Sequence, residues 1–414
     1  MILNRAGIDR RTLARLAVGS GAGLAVAGFG PGFPVAEAAS SPAPPATLRL
    51  PPPTGPNPVG AVELYLVDRS RPDPWDPSIP VRELMVTVFY PACVVREFAL
   101  VAQMLPGAAA LFGEIAPLGN PQLPASGVDW AATMTHAHPS APALAERRHP
   151  AVIYSPGGGD PRTLGTYTAE DLASHGYVVA TVDHPGDASV VEFPTATAYR
   201  GQYRITVFRG DPRADAATYR TMIETRIADC TFVADALATL ASGGNPDALG
   251  RPLPRDLGRA IDPDTLAIYG HSAGGSTAAE TMYEDARFAA SVNMEGYLDW
   301  TPATSGELGE LLPVAEHGTN RPMLMLGSSG FNDEQALDLS WAVMLARSGQ
   351  HVTRRQIADA NHWVFTDLAP IAAQLQAGGL MTAADRAALT GTVSPRIAVP
   401  EIRGLLRGFL DRAL

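Results

Sequence analysis

The chain has 414 residues, 46% hydrophobic and 18% charged, which is enough apolar material for a sizeable core and too much for a mainly disordered chain. The formal net charge is −11 and all 31 basic residues are arginine, so an acidic chain without a basic run is a poor match for nucleic acid. The 40 Gly and 37 Pro show no G-X-Y period and predict tight turns and long loops, not a collagen-like chain.

Residues 1–38 read as a twin-arginine export signal. Arg10-Arg11-Thr12-Leu13 is followed by a mild apolar stretch from Leu16 to Phe33, then by the small residues around Ala36-Glu37-Ala38. A membrane anchor is the competing reading, but the stretch is short and Gly-rich, and Pro31 and Pro34 close it. The expected location is therefore extracellular. Residues 39–58 are polar and Pro-rich and predict a flexible leader. The folded domain is expected over 59–414. Cys93 and Cys230 are the only cysteines. One pair is no disulfide framework, and two small buried residues is the simpler expectation.

Strands are predicted over 59–68 and 82–90, the second ended by Tyr90-Pro91. An apolar insertion follows, about 98–148. From Phe98 to Thr135 only Glu114 and Asp129 carry charge, and no period is visible. Its expected use is either an acyl-pocket wall or plain covering of the core. Strand–helix alternation then begins. Strands are predicted at 151–154, 177–182, 265–269, 288–294, 322–326 and 352–357. Helices are predicted at 162–175, 214–241, 272–284, 334–348 and 400–414. This alternation predicts an α/β protein with a mostly parallel sheet and helices on both faces. Active sites of such sheets lie at the carboxyl ends of the strands.

Gly270-His271-Ser272-Ala273-Gly274 is G-x-S-x-G between a predicted strand and a predicted helix. That setting makes Ser272 the candidate nucleophile on a strained turn, with the helix N-terminus behind it. Acyl transfer also needs preformed donors for the tetrahedral oxygen. The Ala273 N–H and the loop Gly157-Gly158-Gly159 supply candidates, with Gly158 preferred. Of nine His, only His362 follows the last predicted strand, where a serine's general base is needed. His136 and His138 are two residues apart in an irregular segment, a weak ligand spacing, so no metal is expected. Neither is a cofactor. His184 is expected to border the pocket. Two acids compete to orient His362: Glu295, at the end of strand 288–294, and Asp333, just past the next strand. Position alone favours Asp333.

Several segments together carry a resemblance. They are Tyr90-Pro91-Ala92, Ser155-Pro156-Gly157-Gly158-Gly159, Asp171 to Ala180, Asp183-His184, Gly270 to Gly275, Glu284 to Phe288, and His362-x-x-Phe365-x-Asp367. With them the chain resembles the plasma-type (isoform II) platelet-activating factor acetylhydrolases and their secreted bacterial relatives, in the α/β-hydrolase fold. The resemblance spans roughly residues 60–370. It implies that the acid is Glu295, where the family usually carries Asp. It also implies a serine esterase acting on short-chain or phospholipid-type acyl esters. Expected partners are small-molecule or lipid esters, with transient contact to a lipid surface. Competing expectations are a broader lipase or cutinase-like polyester hydrolase and, in another class, an exported binding protein without activity.

Overall fold

The computed structural model describes residues 44–414, and the expected export signal lies outside them. The chain opens with β1 (Val59–Asp68), β2 (Arg82–Pro91), α1 (Pro106–Gly119) and β3 (Ala137–Pro139). It continues with β4 (His149–Ser155), α2 (Thr166–Ser174), β5 (Val178–Asp183) and a small hairpin of β6 (Val190–Glu192) and β7 (Tyr203–Ile205). Then come α3 (Ala216–Ala241), α4 (Leu257–Ala260), β8 (Ile261–His271), α5 (Ala273–Glu284), β9 (Phe288–Met294), α6 (Pro313–His317) and β10 (Met323–Ser328). The chain closes with α7 (Glu334–Ser348), β11 (Val352–Ile357), α8 (Leu368–Ala377), α9 (Ala383–Thr390) and α10 (Pro395–Ala413).

The main sheet has nine strands in the order β11-β10-β9-β8-β4-β5-β2-β1-β3. From β11 to β5 every neighbour is parallel, while β2 runs antiparallel to both β5 and β1. The strand sequences explain the two faces. Along β4, Ala151 and Ile153 pack on one side and Val152 and Tyr154 on the other. β8 repeats this with Leu266 and Ile268 against Ala267 and Tyr269. Side chains of period two that are apolar at both parities need cover on both faces. α3, α5 and α7 cover one face through Val233, Met282 and Trp341. α2 and α10 cover the other through Leu172 and Leu406. Full burial of each such side chain contributes about 1.5–3 kcal/mol. The fold is that of the α/β hydrolases.

Four sequence expectations change. The leader is not free from residue 44 onward. Leu48 and Leu50 are buried, Thr54 bonds to Asp171, and Arg403 donates to the carbonyls of Pro51 and Pro52. Proline carbonyls still accept hydrogen bonds, so a Pro-rich stretch can be tied down. The apolar insertion holds α1, with Pro106 at its first turn, and Phe112 lies edge-on to Trp130 at 5.0 Å. Together with Leu368, Ile371 and Leu375 of α8 these residues form a separate small core. The insertion therefore covers. One edge of it, Val101 to Leu105, lines a cavity of about 420 Å³ whose walls include neither Ser272 nor His362. Helices α8 and α9 were not predicted, and α10 starts five residues earlier than expected. Finally, Cys230 is buried but Cys93 is exposed, and both are free thiols.

One buried acid makes stability depend on pH. Glu280 of α5 accepts the Val314 N–H at 3.0 Å with one oxygen, while the other has no partner among the described residues. Burial pushes its carboxyl up to about 7 from an ordinary 4.5. Between those values the folded chain holds a proton that the unfolded chain has released. The group's stabilising contribution is therefore lost as pH rises through that window. The Tm of Glu280→Gln relative to the parent should rise by roughly 2–4 °C between about pH 5 and pH 8. A constant difference across that range would contradict the assignment.

Candidate active site

Ser272 joins β8 to α5 with φ 55° and ψ −124°, a conformation that non-glycine residues rarely hold. Its neighbours leave no choice of residue. A Cβ on Gly270 would come within 2.0 Å of the Gly274 carbonyl, and one on Gly274 within 2.0 Å of the Ser155 carbonyl. The turn is pinned by Ser272 N–H donating to Met294 O at 2.8 Å and by Gly275 N–H donating to Ser272 O at 2.7 Å. The side chain is half-buried at the carboxyl end of the sheet.

His362 follows β11 on a short 3₁₀ turn, His362–Phe365. Asn361 fixes the start of that turn by accepting the His362 N–H at 2.8 Å. The His362 ring lies against Phe331, centroids 4.8 Å apart and 21° from parallel, and edge-on to Trp363. Its other neighbour is the His271 ring at 4.5 Å. His271 precedes the nucleophile, and its Nε2–H donates to the His362 carbonyl at 2.9 Å. Burial and the nearby His362 hold His271 below the usual imidazole range.

Glu295 lies one residue past β9, itself at φ 62°, and is 1% exposed. Its Oε2 meets His362 Nδ1 at 2.7 Å. Its Oε1 accepts from both the backbone N–H and the hydroxyl of Ser328, at the end of β10. The extra methylene of Glu thus spans from β9 to the imidazole with both oxygens occupied. Gly296 next to it presses on the nucleophile, since a Cβ there would meet Ser272 O at 2.4 Å. Asp333 is not joined to this group. It precedes α7 and accepts from the Tyr297 hydroxyl instead. Position alone favours Asp333, whereas the carboxylate in contact with His362 is that of Glu295. Phe331, also after β10, stacks on the face of the ring.

The candidate oxyanion donors come together. Gly158 is exposed, and a Cβ on it would lie 3.7 Å from Ala273 Cβ and 3.4 Å from Met222 Sδ of α3. Neither the Gly158 nor the Ala273 N–H has a hydrogen-bond partner among the described residues. Ala273 packs with Tyr219 and Met222, and with half-buried Trp75, Phe208 and Trp300. The hydrogen bonds of the described residues include none from the Ser272 hydroxyl.

His184 does not border the site. It is fully buried beneath the glycine loop, bonded to Asp229 at 3.0 Å and to the Ser155 hydroxyl at 3.0 Å. His136 and His138 turn to separate partners, Glu170 and the Phe98 carbonyl. Three contributors escaped the sequence reading: Ser328, Met222 and Arg226. Only Arg226 left a signal there, as a charge on the apolar face of a helix beside Ile223, Ile227 and Cys230.

Comparison with known proteins agrees with this architecture. Residues 49–388 match the family model described as platelet-activating factor acetylhydrolase, isoform II. A probable 1-alkyl-2-acetylglycerophosphocholine esterase of Arthroderma benhamiae is 27% identical over 87% of this chain and 85% of its own length. The platelet-activating factor acetylhydrolase of Bos taurus is 29% identical over 36% of each chain. A solved ferulic acid esterase from Streptomyces cinnamoneus superposes with a TM-score of 0.68 at 30% identity, covering 89% of this chain and 94% of the other. The chain belongs to the platelet-activating factor acetylhydrolase isoform II family and is a carboxylic ester hydrolase of the α/β-hydrolase fold.

Proposed function

We propose that the chain is an exported serine esterase that works through Ser272, His362 and Glu295 on short-chain or phospholipid-type acyl esters. The observation that carries this reading is the 2.7 Å contact between Glu295 Oε2 and His362 Nδ1. It leaves Nε2 of the neutral ring as the free base. His362 takes the Ser272 proton as Ser272 Oγ attacks the ester carbonyl, and the oxyanion is held by the N–H groups of Gly158 and Ala273. The intermediate collapses to an acyl-enzyme as His362 returns the proton to the leaving alcohol. Water then attacks the acyl carbon as His362 takes its proton, and the second tetrahedral intermediate collapses as His362 returns that proton to Ser272 Oγ and the acid is released. Glu295 stays ionised and steadies the imidazolium. No hydrogen bond from the Ser272 hydroxyl is present among the described residues, and the bond to His362 forms as substrate binds.

Export rests on the twin-arginine leader, residues 1–38. None of the described helices is long and apolar enough to cross a membrane. A phospholipid-type substrate would bring the enzyme into transient contact with a lipid surface. Esters of aromatic acids are a second reading. It rests on the likeness to the ferulic acid esterase and on Trp300, Phe331 and Trp363 around the reacting groups. A panel of p-nitrophenyl butyrate, an acetylated glycerophospholipid, methyl ferulate, a long triglyceride and a polyester film separates these substrate classes. Preference for the first two is expected. Preference for the last two would favour a lipase or cutinase-like enzyme.

Two variants test the residue roles on p-nitrophenyl acetate. Ser272→Ala should lose all but a trace of turnover while its melting curve stays that of a folded protein, and equal turnover would refute the mechanism. Glu295→Ala should lose roughly 10³–10⁴-fold in kcat, whereas Asp333→Asn should stay within about twofold of the parent. The reverse pattern would return the acid's role to Asp333.

A further inference from the structure

A buried ion pair sits under the glycine loop, outside the reacting groups. Arg226 of α3 and Asp187, on the loop after β5, are each about 1% exposed. Arg226 Nε meets Asp187 Oδ2 at 2.5 Å. Its Nη1 donates to the Pro156 carbonyl at 2.5 Å and its Nη2 to the Gly157 carbonyl at 2.9 Å. Nη1 also reaches the Ser155 hydroxyl at 3.3 Å. The free oxygen of Asp187 accepts the Gly159 N–H at 2.9 Å. The two carbonyls before Gly158 and the N–H after it are therefore all claimed by one pair of side chains. The Gly158 N–H itself is left without a partner among the described residues and lies beside Ala273.

Burying two charges costs heavily unless their geometry and remaining hydrogen bonds repay it. A structural ion pair would need only its own two members. This one places its donors and its spare acceptor on the main chain of a single loop, of which only Gly158 is exposed. A glycine triplet has little preference of its own for any backbone conformation, and besides the backbone bonds from Asp160 N–H to Gly157 O and from Ser189 N–H to Gly159 O, the side chains of Arg226 and Asp187 are what hold its peptide planes. The guanidinium fork suits that task because its donors are rigidly spaced in one plane.

We propose that Arg226 and Asp187 are positioning residues that hold the Gly158 N–H aimed at the developing oxyanion. This rests on the reading of Gly158 as an oxyanion donor. The pair touches no reacting atom. It sets the peptide planes on both sides of Gly158 before substrate arrives, so that no reorganisation is needed as charge develops. Met222, one helical turn before Arg226, packs against the same glycine from α3, so one helix supplies both the clamp and the contact.

The test uses the mature enzyme and Arg226→Lys, which keeps a charge opposite Asp187 but loses the fork. Turnover of p-nitrophenyl butyrate is measured per titrated active site. Affinity is measured for a trifluoromethyl ketone, which binds as a tetrahedral oxyanion adduct, and for butyrate, which does not. The expected result is a fall of roughly 10–100-fold in kcat with KM within about threefold. Ketone affinity should fall in step with kcat/KM, and butyrate affinity should hold. Should Arg226→Lys fail to fold, Asp187→Asn keeps an acceptor for Gly159 and is measured in the same way, with a smaller loss in the same direction. Gly158→Pro, which removes the N–H outright, separates the two layers. If Gly158→Pro loses turnover while a folded clamp variant keeps both kcat and ketone affinity within twofold, the positioning role is overturned and the Gly158 reading stands. If folded Gly158→Pro keeps full turnover, the Gly158 reading falls, and the positioning role falls with it.

Discussion

The site depends on one crowded turn. Where β8 meets α5, three strands and a helix approach so closely that Gly270 and Gly274 can bear no side chain, and Ser272 is held at a positive φ. Such a residue costs on the order of 1–3 kcal/mol and persists only because its surroundings over-determine it. Here they do so with backbone bonds to Met294 and Gly275 and with a sheet whose two faces are both filled. The turn leaves Ser272 half-buried at the carboxyl end of the sheet and the Ala273 N–H without a partner among the described residues.

The remaining parts come from the same carboxyl edge of the sheet. β4 delivers the glycine loop, β9 delivers Glu295, β10 delivers Ser328 and β11 leads to His362. Parallel order makes this possible, since every parallel strand ends on the same side. Glu295 repeats the economy of the nucleophile: it too has positive φ, and its two oxygens divide between the imidazole and Ser328. His271 adds a second imidazole whose bond to the His362 carbonyl ties the nucleophile turn to the base turn. Buried polar groups thus join the functional loops to one another, while the apolar clusters hold the strands.

The sheet and the nucleophile were legible in the sequence because their signals are local. Apolar runs such as Ala151–Tyr154 and the glycines around Ser272 each encode their own geometry. The acid was not settled by position, because Glu295 and Asp333 both follow strands and only the spatial order of β9 and β10 separates them. The resemblance to a family pointed to Glu295, and the contact with His362 has that carboxylate in reach. Helix α1 was missed because Ala, Gly and Pro at its positions leave no polar face to mark a period. The leader was read as free because Leu48 and Leu50 are too sparse to signal a docking strip. Arg226 escaped the reading because its partners lie far from it in sequence, at residues 155–157 and 187.

The central claim is that the hydroxyl on the strained turn is a nucleophile activated by the neighbouring imidazole. Treatment with diethyl p-nitrophenyl phosphate, followed by intact-mass and peptide mapping, tests it most directly. The account predicts one diethylphosphoryl group per chain, carried on Ser272, with activity lost in proportion to its incorporation. Full activity after exhaustive treatment, or inactivation with the label on a different residue, would contradict it.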